Sequence, residues 1–75
     1  MLEDNTNILH RTIIGDVLVS TVMLPWQPIY ETITFGGDFD EESTRCTELG
    51  EVLKMHEAMC QKVRAHFTKE QKHDL

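Results

Sequence analysis

The chain is poor in positive charge, in cysteine and in long apolar runs, and each shortage excludes a class of protein. Its 75 residues carry 7 lysines and arginines against 13 acids, a net charge of −6, so few cations are available to bind a phosphate backbone. The two cysteines, Cys46 and Cys60, are predicted to lie about 20 Å apart along one helix, too far for an intrachain disulfide. No apolar segment approaches the roughly 20 residues of a membrane span. We therefore expect no direct nucleic-acid partner, no membrane association and reduced thiols.

Sequence motifs for catalysis and cofactor binding are equally scarce. Gly36-Gly37 ends a predicted strand instead of opening a helix, so it is not a phosphate-binding loop. His56 and Cys60 have the i, i+4 spacing of half a zinc site, but further ligands are missing. A run of acids lacks the order of an EF-hand calcium loop and is interpreted as a solvated acidic surface, with a partner-facing role as the alternative: Asp38, Asp40, Glu41 and Glu42. We expect no enzyme, no metal and no cofactor.

The length of the chain predicts its oligomeric state, and its first residues predict its cellular location. A single domain of this size buries roughly 60% of its unfolded surface, so a lone monomer is expected to be marginally stable and assembly is expected. The opening residues 1–4 are acidic where a secretory signal is basic. We therefore expect a cytoplasmic protein that forms a homo-oligomer.

An apolar and β-branched run over residues 17–24 is the strongest secondary-structure signal in the chain. Its valines and threonine favour a strand. Gly15-Asp16, which precedes this run, predicts a two-residue hairpin turn, because glycine adopts positive φ without a steric penalty. The prolines of residues 25–28 interrupt the ladder, and residues 30–35 alternate again. Three antiparallel strands in a meander are therefore predicted over residues 8–35.

A helix with clear polarity is predicted over residues 47–68. Thr47 is the expected N-cap, acids follow in the first turn and bases lie toward the far end, as the helix dipole favours. Side chains at steps of three and four form one mostly apolar stripe: Leu49, Val52, Leu53, His56, Met59, Cys60, Val63 and Phe67. The predicted fold is a single α+β domain over residues 1–75, a three-stranded antiparallel β-meander packed on one C-terminal α-helix (βββα). Residues 1–7 are expected to be a loose arm, residues 36–46 an acidic loop and residues 69–75 a loose tail.

The predicted hairpin register sorts the strand residues onto two faces. We expect the helix to cover the face that carries Leu9, Ile13, Leu18, Val22, Leu24, Ile29, Ile33 and Phe35. The other face carries Ile8, His10, Thr12, Ile14, Val17, Val19, Thr21, Met23, Tyr30, Thr32 and Thr34. This second face is expected to need a partner, and a second copy of the chain is the simplest one.

A further pattern extends over residues 9–64. It consists of Val19-Ser20-Thr21-Val22, then Tyr30-Glu31-Thr32 with Phe35-Gly36-Gly37, then Arg45 followed eleven positions later by His56. In these residues the chain resembles a family of small proteins of tailed bacteriophages and prophages. Members usually have a longer, glycine-rich loop where this chain has residues 25–28, and aromatic residues at positions 46 and 49. The resemblance implies a phage accessory protein made in the bacterial cytosol, and it brings no activity with it.

Two binding functions and one structural role are compatible with these features. In the first, the acidic surface and the uncovered sheet face bind and inhibit a host bacterial protein, such as a component of anti-phage defence. In the second, a homo-oligomer forms pockets that sequester a small anionic ligand such as a nucleotide immune signal, although the negative net charge disfavours it. In the third, the protein is a minor virion or assembly component.

The candidate binding residues combine one cation with histidine, hydroxyl and aromatic side chains: Arg45, His56, Tyr30, Thr32, Thr21, His10 and Trp26. His56 is interpreted as a satisfied core histidine. The alternative is a polar pocket in which it hydrogen-bonds Ser20 or Glu31 or reaches the loop of Arg45. Trp26, between two prolines, is interpreted as a cap on the sheet edge, with an exposed anchor for a partner as the alternative.

Overall fold

Four antiparallel strands and one long helix make up the described part of the chain. The computed structural model describes residues 7–25 and 27–74, with side chains as far as residue 67. The strands are neighbours in chain order: β1 (Asn7–Ile14), β2 (Val17–Met23), β3 (Tyr30–Phe35) and β4 (Ser43–Cys46). A 3-10 turn at Leu49–Glu51 leads into α1 (Val52–Asp74), which contacts all four strands. The predicted α+β class, an antiparallel sheet packed on one C-terminal helix, is confirmed.

The predicted strand register is confirmed over most of the sheet. The two-residue turn at Gly15-Asp16 joins β1 to β2, and β2 pairs with β3 in the predicted alignment. One difference lies at the start of β1, where the register shifts between Ile8 and His10. Because of this bulge Ile8, and not Leu9, lies opposite Val22.

A fourth strand corrects the prediction that residues 36–46 form a loop throughout. β4 pairs with β3, with Arg45 opposite Glu31. The chain reverses before it because Gly36 and Gly37 have φ values of 94° and 72°, a region that side-chain-bearing residues rarely occupy. A four-residue strand is too short to show a periodic pattern, so only its pairing with β3 identifies it.

The helix begins and ends later than predicted. Thr47 is not its N-cap, since the 3-10 turn begins after Glu48, whose side chain makes no capping hydrogen bond. The last residues of the expected loose tail are helical as far as Asp74, as their lysine, glutamate and glutamine content favours. Within the described residues, no helix combines the length and the apolar character needed to cross a bilayer. The predictions for residues 1–6 and for Trp26 lie outside the described residues.

The helix covers the face of the sheet opposite to the one predicted. Its core consists of Val17, Val19, Met59, Cys60 and Val63, with Ile14, Phe39 and Phe67 packed around it. The two strand valines belong to the face that the sequence analysis assigned to a partner. The reason is the buried His56, whose ring nitrogens hydrogen-bond Thr12 and Thr21 on this face. The predicted face is mainly aliphatic and carries fewer hydroxyl groups that could satisfy the imidazole.

The predicted stripe of the helix is buried over its middle part only. Val52, His56, Met59, Cys60 and Val63 are all buried. By contrast, Leu49 and Leu53 are 68% and 52% exposed. The helix therefore contacts the sheet through a narrower surface than the periodicity predicted.

Candidate functional site

The sheet surface that α1 leaves uncovered, here named the open face, carries most of the larger aliphatic side chains of the strands and Phe35. Strand pairing and alternation place six of them there: Ile8, Ile13, Leu18, Val22, Ile33 and Phe35. Ile13 is 75% exposed and Phe35 is 45% exposed. Among the described residues, no helix or strand packs on this face. A contiguous apolar surface of this kind is typical of a binding site.

The polar residues of the open face give it a charge opposite to that of the whole chain. Arg45 on β4 donates from Nε to Oε2 of Glu31 at 3.2 Å. Arg11 on β1 lies opposite Ser20 and makes no ion pair with any described residue. Two arginines against one glutamate leave this face with an excess of one positive charge, whereas the chain has a net charge of −6. The open face is thus apolar with a cationic component.

Beneath the helix, on the other side of the sheet, His56 lies in a chain of hydroxyl groups. Its Nε2 lies 2.8 Å from Oγ1 of Thr12, and its Nδ1 lies 2.7 Å from Oγ1 of Thr21. The Thr21 hydroxyl in turn hydrogen-bonds that of Thr32 at 2.5 Å. The ring of His10 is 5.3 Å from that of His56, between centroids. Four candidate binding residues therefore meet here, together with Thr12, which sequence reasoning missed.

The environment of His56 favours its neutral form. Burial, followed by the neighbouring His10, lowers the pKa of the His56 imidazole below its ordinary value, and Glu57 opposes this shift. The side chains of Thr21, Thr32 and His56 are almost completely inaccessible to solvent. This arrangement satisfies a buried polar ring and offers a substrate no access.

The acidic turn before β4 uses its carboxylates within the molecule. Asp38 Oδ2 lies 2.7 Å from His66 Nε2, and Glu42 pairs with Lys62. Asp40 Oδ1 accepts a hydrogen bond from the Gly36 amide at 2.7 Å. Of the four acids in the predicted acidic surface, these three stabilise the turn or join it to α1. The fourth, Glu41, is exposed at a φ of 67°.

The remaining candidate residues do not complete a single pocket. Arg45 lies on the open face, whereas His56 lies on the face covered by α1, so the two cannot line one cavity within a chain. Tyr30 pairs with Cys46 and is half-buried. The thiols of Cys46 and Cys60 are free, and Cys60 is buried in the core. Within the described residues, no three His, Cys, Asp or Glu side chains are grouped to hold a metal ion.

The fold and the open face define a small α+β protein whose sheet has one covered and one uncovered surface. Comparison of the chain with protein-family models, with curated proteins and with solved structures finds no match. The arrangement of the residues is therefore the basis for the function proposed below. Thr12 could have been added to the candidate residues from the sequence, because the predicted register places it on the same face as Thr21 and Thr32.

Proposed function

We propose that the protein is a non-enzymatic binding protein that recognises a partner protein through the open face. The observation that carries this proposal is the row of exposed aliphatic and aromatic side chains, above all Ile13 and Phe35, on a surface that no described element covers. Paired strands present these side chains in a preformed array, so binding requires little ordering of the backbone. The buried hydroxyl chain around His56 supports the array from the opposite side of the sheet.

The charge of the open face determines which partner surface fits it. Arg11 and Arg45 favour an apolar patch with acidic groups at its rim, and the complementary charges would orient the encounter. The acidic turn contributes less, because most of its carboxylates are already paired within the chain. The partner surface in this proposal is consequently acidic.

The resemblance to tailed-phage proteins supports a bacterial host protein as the partner and the host cytoplasm as the location. In this proposal the protein acts as an accessory inhibitor. It occupies an apolar surface that the host protein, such as a component of anti-phage defence, needs for its own contacts. Inhibition by occupation requires no catalytic group.

Capture from a bacterial lysate with matched variants tests the proposal. Ile13→Asp places a charge at the most exposed position of the apolar row, on the edge strand β1, whereas Leu53→Asp makes the same kind of change on the exposed side of α1. Wild type and Leu53→Asp are expected to retain the same protein in stoichiometric amount, and Ile13→Asp is expected to lose it. Retention by Ile13→Asp would contradict the proposal.

Two further measurements distinguish the other functions considered. Mass spectrometry of the supernatant from heat-denatured protein detects a sequestered nucleotide or other small anion. Such a ligand is not expected, because the chain has a net charge of −6 and because Lys62 and His66 already contact carboxylates. Detection of the chain in purified particles would favour a virion component.

A further inference from the structure

We infer that the open face binds a second copy of the chain, so that the free protein is a face-to-face homodimer with the layer order helix, sheet, sheet, helix. This inference rests on the proposed function in one respect, since both assign binding to the open face. A host protein that binds there must displace the second copy. Self-association then regulates the site by keeping its apolar side chains out of water until a partner is present.

The core under the helix is built mainly from small and polar side chains. Its buried apolar side chains are small or slender: Val17, Val19, Val52, Met59, Cys60 and Val63. Four polar residues are buried there as well: Thr21, Thr32, Thr34 and His56. Ile14, Phe39 and Phe67 pack against this core and are only partly buried, whereas Ile8, Ile13, Leu18, Ile33 and Phe35 lie on the open face. Such a core contributes little to the free energy of folding of a chain of 75 residues. Covering the open face supplies the apolar burial that one copy lacks.

The open face is large enough to form an interface between two copies of the chain. With a rise of about 3.3 Å per residue and a strand spacing of about 4.8 Å, the sheet presents roughly 20 by 19 Å. Side-chain relief makes the accessible area of such a patch larger than its projected area. Two copies in contact would therefore bury on the order of 1,000 Å², which reaches the lower limit for a specific interface.

Opposite charges on the open face lie on the two strands that flank β2. Arg11 lies on β1, on one side of β2, and Glu31 lies on β3, on the other side. In aligned sheet packing, a two-fold axis running along β2 places the β1 of one copy over the β3 of the other. Arg11 of each copy then comes within reach of Glu31 of the other copy, where Glu31 also accepts a hydrogen bond from Arg45 of its own chain. The buried, small Ser20 lies at the centre, where the two sheets approach most closely.

Light scattering coupled to size-exclusion chromatography tests the dimer. Wild type and Leu53→Asp are expected at twice the 8.7 kDa mass of the chain, and Ile13→Asp is expected at the mass of one chain. Circular dichroism establishes that each variant is folded. A wild type that is monomeric at concentrations of about 100 μM would overturn the inference.

A charge exchange tests the orientation of the two copies. Arg11→Glu alone places acids opposite one another across the interface, and Glu31→Arg alone places arginines opposite one another. Each variant is expected to dissociate at least tenfold more readily than wild type. Mixed in equal amounts, they are expected to form a heterodimer, because every pair of residues 11 and 31 across the interface is again of opposite charge. Absence of the heterodimer would exclude the two-fold axis along β2.

These outcomes are separable from those of the lysate experiment. A monomeric wild type that captures a host protein in an Ile13-dependent manner overturns the dimer and leaves the proposed function standing. A dimer that captures nothing supports the inference, and the host-protein function is then wrong.

Discussion

At the scale of single residues, His56 is the side chain on which the packing of the helix depends. Both of its ring nitrogens find hydroxyl partners on two different strands. A neutral imidazole donates from one nitrogen and accepts at the other, and a threonine hydroxyl can take either role. The hydroxyl chain through Thr21 and Thr32 can therefore satisfy either tautomer. This adaptability allows a polar ring to occupy the interface between the helix and the sheet.

Replacement of His56 by leucine is expected to lower the free energy of unfolding by about 1–3 kcal/mol, because the Thr12 and Thr21 hydroxyls lose a buried partner. Urea denaturation measures this loss. Thr21→Val provides the matched comparison, since it removes the opposite partner of the same hydrogen bond. The double variant is expected to cost less than the sum of the single variants by more than about 0.5 kcal/mol. Additive costs would show that the hydrogen bond contributes nothing.

The titration of His56 is expected to make stability depend on pH. Its folded pKa is lowered, chiefly by burial and then by His10, so the unfolded chain binds this proton more readily than the folded one. The stability that His56 contributes through its lowered pKa is fully present above the unfolded pKa of about 6.5. It is lost as the pH falls from there toward the folded pKa. Denaturation at pH 7.5 and pH 5.5 measures it. The His56→Leu variant should show a smaller difference between the two pH values, and an equal difference would assign the effect to other groups.

At the scale of secondary-structure elements, the turn between β3 and β4 depends on two glycines and on contacts with its neighbours. Gly36 and Gly37 both adopt positive φ, and Thr34 hydrogen-bonds the Phe39 carbonyl across the turn. Phe39 then packs against the core under α1, and the ring of His66 lies 5.2 Å from it. The turn thereby joins the sheet to the helix.

Gly37→Ala is expected to lower the free energy of unfolding by at least about 1–2 kcal/mol, because alanine is strained at positive φ. In addition, its Cβ would lie 2.7 Å from Cγ2 of Val17. Gly50→Ala is the control, since a Cβ there meets nothing within 4 Å. We expect that change to be neutral or stabilising by up to about 1 kcal/mol. Equal effects of the two substitutions, measured by thermal unfolding, would contradict this account of the turn.

At the scale of the whole molecule, the open face is expected to make stability depend on association. If two copies cover one another, unfolding is coupled to dissociation, and the unfolding midpoint rises with protein concentration. Thermal unfolding of the wild type over a hundredfold range of concentration should show this rise. Ile13→Asp should show none, whereas Leu53→Asp should behave as the wild type does. A concentration-independent wild type would mean that one copy is stable with its open face in water.

Apart from the start of β1, where the bulge shifts Ile8 and Leu9, the sequence by itself determined which residues share a face of the sheet. The valine-rich run, the Gly15-Asp16 turn and the helical periodicity after residue 47 act locally, and they were sufficient for the α+β class and for the register of the first three strands. β4 could not be predicted, because its four residues become a strand only through pairing with β3.

Only the tertiary structure decided which face of the sheet the helix covers. Both faces carry aliphatic side chains, so alternation alone cannot rank them, and counting apolar residues selected the wrong one. The deciding contacts join His56 to Thr12 and Thr21, which lie 44 and 35 positions away in the chain. A buried imidazole left without partners costs about 1–3 kcal/mol, and hydroxyl groups that satisfy it are concentrated on the face under the helix. That requirement places the threonines under the helix and leaves Ile13 and Phe35 on the open face.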